Sequence, residues 1–215
     1  MTEQYTNKIA TVILAAGASS RFNGCKMMAK VLGEKSLLAH SVETLKQVTQ
    51  AANIAPAAVV LGAHINDDIM TMTQGAVRII NRQWQTGLSS SVKLAVNYAI
   101  EAKSDALLLV LADQVAITAN EYLRLINAFL QNKQTCCSFY QQDVGVPAIF
   151  LAQDFNALMA IEGDKGAKRV LKQHAKNQHL TILSIDNAAC DIDTPADLTR
   201  WLSQCNKPDV SECPN

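Results

Sequence analysis

The residues of this chain best suited to chemistry are two cations beside a run of small residues, and three aspartates far downstream. The cations are Arg21 and Lys26, five residues apart, and the small residues are Ala15, Ala16, Gly17, Ala18, Ser19 and Ser20. Small residues let backbone N–H groups approach a polyanion, and the cations neutralise its charge. This pattern predicts a triphosphate-holding loop, with Leu14, Ala15, Ala16, Gly17, Ser19 and Ser20 as the cradle and Arg21 and Lys26 on the phosphates. A plain strand-to-helix turn with two solvated cations is the alternative. It is not a Walker A loop. Gly17 and Gly24 have six residues between them rather than four, Cys25 precedes Lys26, and Met27 stands where Ser or Thr is needed. Nor is it a G-x-G-x-x-G fingerprint, because Ala18 and Ser19 follow Gly17.

The aspartates are Asp113, Asp191 and Asp193. Asp113 follows Asp105–Leu111, the most apolar run in the chain. In open parallel sheets ligands bind beyond the C-terminal strand ends, which puts this carboxylate and the loop after Ala15 on one crevice. Mg²⁺ prefers hard oxygen ligands and is held by one or two carboxylates plus substrate phosphates, so Asp113 is the first metal ligand expected. Asp191 and Asp193 are two residues apart and face the same side of an extended segment. One can reach a metal while the other caps the helix that Pro195 begins. His40, His64, His174 and His179 form no triad or metal set, and surface or structural roles are expected of them.

These groups need a scaffold. Ile9–Ala15 reads as a buried strand, and Ser36 caps a helix whose apolar residues recur at helical spacing through Gln50. The residues after Pro56 (AAVVLG) form a short strand, His64–Thr73 a short helix, Ala76–Ile80 a strand and Gly87–Ile100 a helix. The continuous run Asp105–Leu111 predicts a strand covered on both faces. Thr118 caps a helix to Gln131. Thr135–Tyr140 and Val144–Leu151 read as strands that pair in a hairpin. Asp154–Ile161 and Lys165–Ala175 read as helices, Leu180–Ile185 as a strand and Pro195–Leu202 as a final helix. Strands alternating with helices predict a Rossmann-like three-layer α/β/α fold, mostly parallel, with a small antiparallel insertion at 135–151.

With 215 residues, 49% hydrophobic, the chain suits one domain over 1–203, followed by a loose polar tail over 204–215. Lys plus Arg equals Asp plus Glu at 19 each, which argues against a general nucleic-acid binder, whereas a small anionic substrate needs only a local cluster such as Arg21, Lys26, Lys30 and Lys35. The six cysteines show no C-x-x-C or zinc spacing. MTEQYTNK lacks a signal-peptide core, and no apolar run approaches the ~20 residues of a membrane span. A reduced, cytoplasmic protein is the expectation.

On its motifs the chain resembles the molybdenum cofactor nucleotidyltransferases, and within them the cytidylyltransferase branch, the MocA-like proteins. Leu14-Ala15-Ala16-Gly17-x-Ser19-x-Arg21 followed by Lys26 is similar to their first signature, and Ala16 stands where the guanylyltransferase branch has Gly. Their usual Arg-Met-Gly-x-x-Lys is here Arg21-Phe22-Asn23-Gly24-Cys25-Lys26, with the glycine displaced by one. Asp113-Gln114 resembles the core of Gly-Asp-Gln-Pro, and Asp191-Ile192-Asp193-Thr194-Pro195 resembles the C-terminal signature. Trp84-Gln85-Thr86-Gly87-Leu88-Ser89-Ser90-Ser91 resembles the stretch that covers base and ribose, although a serine-rich cap explains it equally well. Gly145-Val146-Pro147 and Gly163-Asp164-Lys165-Gly166-Ala167 resemble acceptor-side motifs, with Val146 in place of His.

The resemblance implies Mg²⁺-dependent transfer of CMP from CTP to the phosphate of molybdopterin, with pyrophosphate released. Catalysis would rest on Arg21, Lys26 and Asp113, the metal on Asp113 and Asp191, the nucleoside on Gly87, Ser89 and Ser90, and the acceptor on Gly145, Pro147 and Gly166. Asp193 is the second candidate ligand. Transient contact with a molybdoenzyme or its chaperone is also implied. A sugar phosphate or another phosphorylated alcohol as acceptor, and a non-catalytic cofactor-delivery role, remain alternatives.

Overall fold

The computed structural model describes residues 8–205. The apolar run Ile9–Ala15 becomes β1, an interior strand of a seven-stranded sheet. On one side of it lie β4 (Ala58–Leu61) and the edge strand β5 (Val77–Ile80). On the other lie β6 (Ala106–Leu111), β8 (Asp143–Leu151), β7 (Cys136–Tyr140) and the second edge, β9 (Thr181–Ser184). β5, β4, β1 and β6 are mutually parallel. β8 runs against both β6 and β7, and β9 is parallel to β7, so β8 alone is reversed.

The expected hairpin therefore forms, but as two strands of the main sheet. The separate antiparallel ribbon lies elsewhere, in β2 (Lys30–Leu32) and β3 (Lys35–Ser36). These strands are too short and too lysine-rich to show a period in sequence.

Both faces of the sheet are covered. Ile9 and Ile13 of β1, with Leu108 and Val110 of β6, pack under α1 (Leu37–Ala51) and α4 (Ala119–Asn132). The alternate residues Ala10, Val12, Leu14, Leu107 and Leu109 pack under α3 (Leu88–Glu101), α5 (Phe155–Met159) and α6 (Lys168–Lys176). Leu107, Leu108 and Val110 are fully buried, as the unbroken apolar run requires of a strand with two covered faces. Burying each such side chain contributes about 1.5–3 kcal/mol.

Helix starts follow the expected capping chemistry. Ser36 Oγ accepts from Ala39 N–H, and Thr118 with Glu121 completes a capping box on α4. α2 (Asp67–Met72) begins later than expected, where Asn66 caps it. α6 begins after Lys165 because Gly166, at φ +51, interrupts the helix path. α7 (Pro195–Cys205) continues past Leu202 into the stretch expected to be loose, and the rest of that stretch lies outside the described residues. No described helix is long and apolar enough to cross a membrane.

Candidate active site

The loop after β1 is held from beneath. Ala16 O accepts from Ala63 N–H at 3.0 Å, and the His64 Nε2 imidazole nitrogen hydrogen-bonds Ala18 O at 2.9 Å. His64, for which a surface or structural role is expected, thus ties the loop to the end of β4. A Cβ at Gly62 would sit 2.6 Å from Ala16 O, so only glycine allows this close packing. The chain then turns. Phe22 N–H donates to Ser19 O at 2.8 Å, and Ser19, Asn23 and Gly24 all take positive φ. The displaced glycine serves this turn. Ser19 Oγ accepts from Lys26 N–H at 3.3 Å, so its hydroxyl braces the loop through its acceptor side and keeps its O–H as a donor. Met27, buried, anchors the short 3₁₀ turn Lys26–Met28 that Lys26 opens.

Lys26 draws the distant acids together. Its Nζ donates to Asp113 Oδ2 at 2.6 Å and to Asp193 Oδ1 at 2.7 Å, and Arg21 Nη2 donates to Asp193 Oδ2 at 2.8 Å. The Lys26 and Asp113 side chains are only 12% and 18% exposed, so this charge-assisted pair is shielded from solvent. Burial pulls the Lys26 pKa down, but the two carboxylates outweigh it and hold the ammonium above the ordinary lysine value. Burial pushes Asp193 up, while Lys26 and Arg21 prevail and bring it below the usual carboxylate value. Asp191 moves the other way: desolvation, then repulsion from Asp113 and Asp193, raises it.

Backbone contacts bring Asp191 there. Gln114 and Asp191 form an antiparallel bridge, and Ile192 N–H donates to Asp113 O at 3.0 Å. Ile192 is fully buried, so Asp191 and Asp193 project to the opposite side, as alternation requires. Gln114 Nε2 braces the junction by donating to Val146 O and Ala188 O, both at 2.9 Å. The helix-capping role considered for Asp191 or Asp193 is corrected. Thr194 Oγ1 accepts from Asp197 N–H, and Asp197 Oδ2 accepts from Thr194 N–H, which closes the start of α7 and leaves Asp193 to the cations.

Two clefts flank this cluster. One, of about 460 Å³, is lined by Leu14, Ala15, Ala16, Gly17, Ser20, Lys26 and Asp113 on one wall and by Trp84, Gln85, Gly87, Leu88, Ser91 and Asp164 on another. The other, of about 510 Å³, is lined by Arg21, Asp191, Asp193, Asp186, Asn187, Arg200, Trp201 and Gln204, among others. Both fall within the range of small-molecule sites.

Several expected contacts are redirected. Ser89 and Ser90 are buried: Ser89 N–H donates to Gly163 O at 2.9 Å, and Ser90 Oγ donates to Gly87 O and accepts from Asn81 Nδ2. They hold the helix start; Ser91, which borders the cleft, is buried too and accepts from Asn81 Nδ2 at 2.9 Å. Gly145 and Pro147 are buried in β8 and line neither cleft. Gly145 leaves room for the Tyr140 ring, whose Oη would lie 2.6 Å from an added Cβ. Gly166 packs on Leu88 beside the first cleft rather than the second. Gln85, Ser91 and Asp164 line the first cleft in addition to the residues expected there. Each lies inside a quoted motif, but period and spacing do not say which member of a motif faces a cavity.

A divalent cation fits here. Asp113 and Asp193 pair with Lys26 and Arg21, Asp191 feels the charge of Asp113, Asp193 and Lys26 without pairing, and Asp113 Oδ1 is buried without a hydrogen-bond partner among the described residues. No described group of three or more His, Cys, Asp or Glu is placed to hold a metal by itself.

The MobA-like NTP transferase domain matches residues 11–179. The chain belongs to that family. No curated protein matches it. Among solved structures, a nucleotidyl transferase from Methanothermobacter thermautotroptrophicus is 18% identical with a TM-score of 0.72, covering 92% of this chain and 99% of that one. Rv0371C from Mycobacterium tuberculosis H37Rv, in complex with manganese, is 21% identical with a TM-score of 0.67, covering 92% and 99%. A CMP:2-keto-3-deoxy-manno-octonic acid synthetase complexed with CTP is 15% identical with a TM-score of 0.68, covering 93% and 98%. At these identities the neighbours establish the fold, and the family establishes nucleotidyl transfer as the class of chemistry.

Proposed function

We propose that the protein transfers a nucleoside monophosphate, CMP by preference, from an NTP to the phosphate of a small acceptor, with molybdopterin as the favoured acceptor. The observation that carries this reading is the Lys26 bridge between Asp113 and Asp193, with Lys26 and Asp113 on one cleft and Asp193 on the other. The first cleft takes the nucleotide. An alanine side chain at Gly17 would meet no protein atom within 4 Å, so packing does not demand this glycine, while a triphosphate drawn against the backbone would benefit from it. The second cleft takes the acceptor, with Arg21 and Arg200 for its phosphate.

In the reaction an acceptor phosphate oxygen bonds to the α-phosphorus. The bond from the α-phosphorus to the bridging oxygen breaks, and pyrophosphate leaves with the electron pair. No general base is needed, because the attacking oxygen is already anionic. Lys26, held protonated by its acids, offsets charge on the α-phosphate, and Arg21 positions the incoming phosphate. Asp113 and Asp191 would hold Mg²⁺, which when bound neutralises phosphate charge and orients both substrates. Asp193 keeps Lys26 and Arg21 aimed at the junction. The CTP preference rests on Ala16, as in the cytidylyltransferase branch that the first signature resembles.

The test is pyrophosphate release from CTP, GTP, UTP and ATP, with Mg²⁺ or with EDTA, offered molybdopterin or sugar phosphates. Metal-dependent release with CTP and molybdopterin is the expected result. Release only with a sugar phosphate would retain the chemistry and replace the acceptor. Nucleotide binding without release under any condition would make the protein a carrier.

A further inference from the structure

The first cleft holds a carboxylate that the transfer chemistry does not use. Asp164 lines the same cavity as Lys26 and Asp113 but forms no ion pair with Lys26, whose acidic partners are Asp113 and Asp193. It is held across the cleft from the cradle loop. Asp164 Oδ1 accepts from Leu88 N–H at 3.2 Å, and Gly163 O accepts from Ser89 N–H at 2.9 Å. Gly87 makes this clasp possible, since with φ +100 and no side chain it admits Asp164 Oδ1 and Gly163 O, which lie 2.6 and 2.8 Å from where a Cβ would stand. The second oxygen, Oδ2, has no hydrogen-bond partner among the described residues, and the carboxylate is exposed to the cleft.

A carboxylate so placed would repel a triphosphate. It is tolerable only beside the uncharged part of a nucleotide, where an acceptor-only group demands a donor. The residues expected to read the nucleoside are otherwise engaged, because Ser89 and Ser90 face inward. We infer that Asp164 is a specificity-determining residue that accepts, through Oδ2, a hydrogen bond from a donor on the bound nucleoside, either an exocyclic amino group or a sugar hydroxyl. This deepens the transferase reading and rests on the first cleft being the nucleotide site.

The test is calorimetric titration of the full chain with Mg²⁺ and no acceptor, using CTP, UTP, 2′-deoxy-CTP, 3′-deoxy-CTP and inorganic tripolyphosphate. Asp164→Asn keeps an oxygen for Leu88 N–H but turns the other end of the side chain from acceptor to donor. Wild-type protein is expected to bind CTP about tenfold more tightly than the analogue lacking the critical donor, equivalent to ~1.4 kcal/mol. Asp164→Asn should erase or invert that ratio and leave tripolyphosphate affinity unchanged. A ratio lost for UTP assigns the donor to the base amino group, and one lost for a deoxy-CTP assigns it to that hydroxyl. Equal binding of all four nucleotides by the wild type, ratios unchanged in Asp164→Asn, or an equal loss for tripolyphosphate would each overturn the inference while leaving the transferase reading intact. If none of the nucleotides binds wild-type protein, the transferase reading falls, and this inference with it.

Discussion

The two clefts lie on either side of one charged wall but are built differently. The first is made of strand ends and backbone. Its cradle is pinned by Ala63 N–H and His64, its far wall by Ser89 N–H on Gly163 O, and its floor by Ala112 N–H on Leu14 O at 3.1 Å. The second is made largely of side chains from a late segment that runs from the irregular stretch before Pro195 into α7. Side chains supply most of that segment's ties to the body: Gln114 Nε2 on Ala188 O, Asn187 Nδ2 on Glu121, Lys26 and Arg21 on Asp193, and Trp201 Nε1 on Val31 O at 2.8 Å, beside the Gln114–Asp191 bridge and Ile192 N–H on Asp113 O. Backbone cradles are indifferent to sequence and suit a group common to all nucleotides. Side-chain walls change with single substitutions and suit a substrate that differs between relatives. If the first cleft takes the nucleotide and the second the acceptor, as proposed, such a contrast would let the phosphate chemistry persist while the acceptor changes.

The largest test of this contrast is at the shared wall. Asp113→Ala is expected to lower turnover at least ~100-fold, as loss of a comparable electrostatic group does elsewhere. Its fold should survive, because Lys26 keeps Asp193, and normal turnover would remove Asp113 from the mechanism. Gln114→Ala probes the tether of the second cleft. It leaves the Val146 and Ala188 carbonyls without their donor and is expected to cost about 1–3 kcal/mol in chemical denaturation. Acceptor KM should rise more than NTP KM, and equal rises would erase the distinction drawn between the clefts.

Asp193 gives a pH-dependent test. Its pKa in the folded chain lies below the ordinary 3.8, so it contributes stability that is present above that value and is lost as pH falls through the folded pKa. Asp193→Asn should therefore lower stability at neutral pH, by about 1–2 kcal/mol for a partly exposed pair, and flatten the acid limb of the stability profile. An acid limb as steep as that of the wild type would contradict the pairing with Lys26 and Arg21. The smallest structural effect is expected from Gly17→Ala. Thermal stability should stay within ~0.5 kcal/mol of wild type, since the new methyl meets no protein atom, whereas NTP affinity should fall about tenfold. Unchanged affinity would show that phosphate does not approach there.

Much of the scaffold was legible because its causes are local. An unbroken apolar run, a serine or threonine before a helix, and small residues followed by cations each state their role within a few residues. β2 and β3 were not legible because they are short and polar. The buried fate of Ser89, Ser90, Gly145 and Pro147 was not legible either, because it depends on Asn81, Gly163, Tyr140 and the strand pairing of β8. Asp164 was visible only as a member of a motif.

By itself the sequence determined the alternating architecture, the cationic loop and the short list of acids that could serve it. It could not choose among those acids. Asp113 and Asp193 lie 87 and 167 positions from Lys26, and Asp191 and Asp193 share a face and a chemistry. The choice belonged to the fold. Sheet order places the end of β6 next to the loop after β1, and the Gln114–Asp191 bridge then decides which carboxylate of the later pair is close enough to touch the lysine. Hydrogen bonding reaches about 3 Å, so a shift of one residue pair along an extended segment, nearly 7 Å, separates a direct partner from a neighbour felt only through its charge.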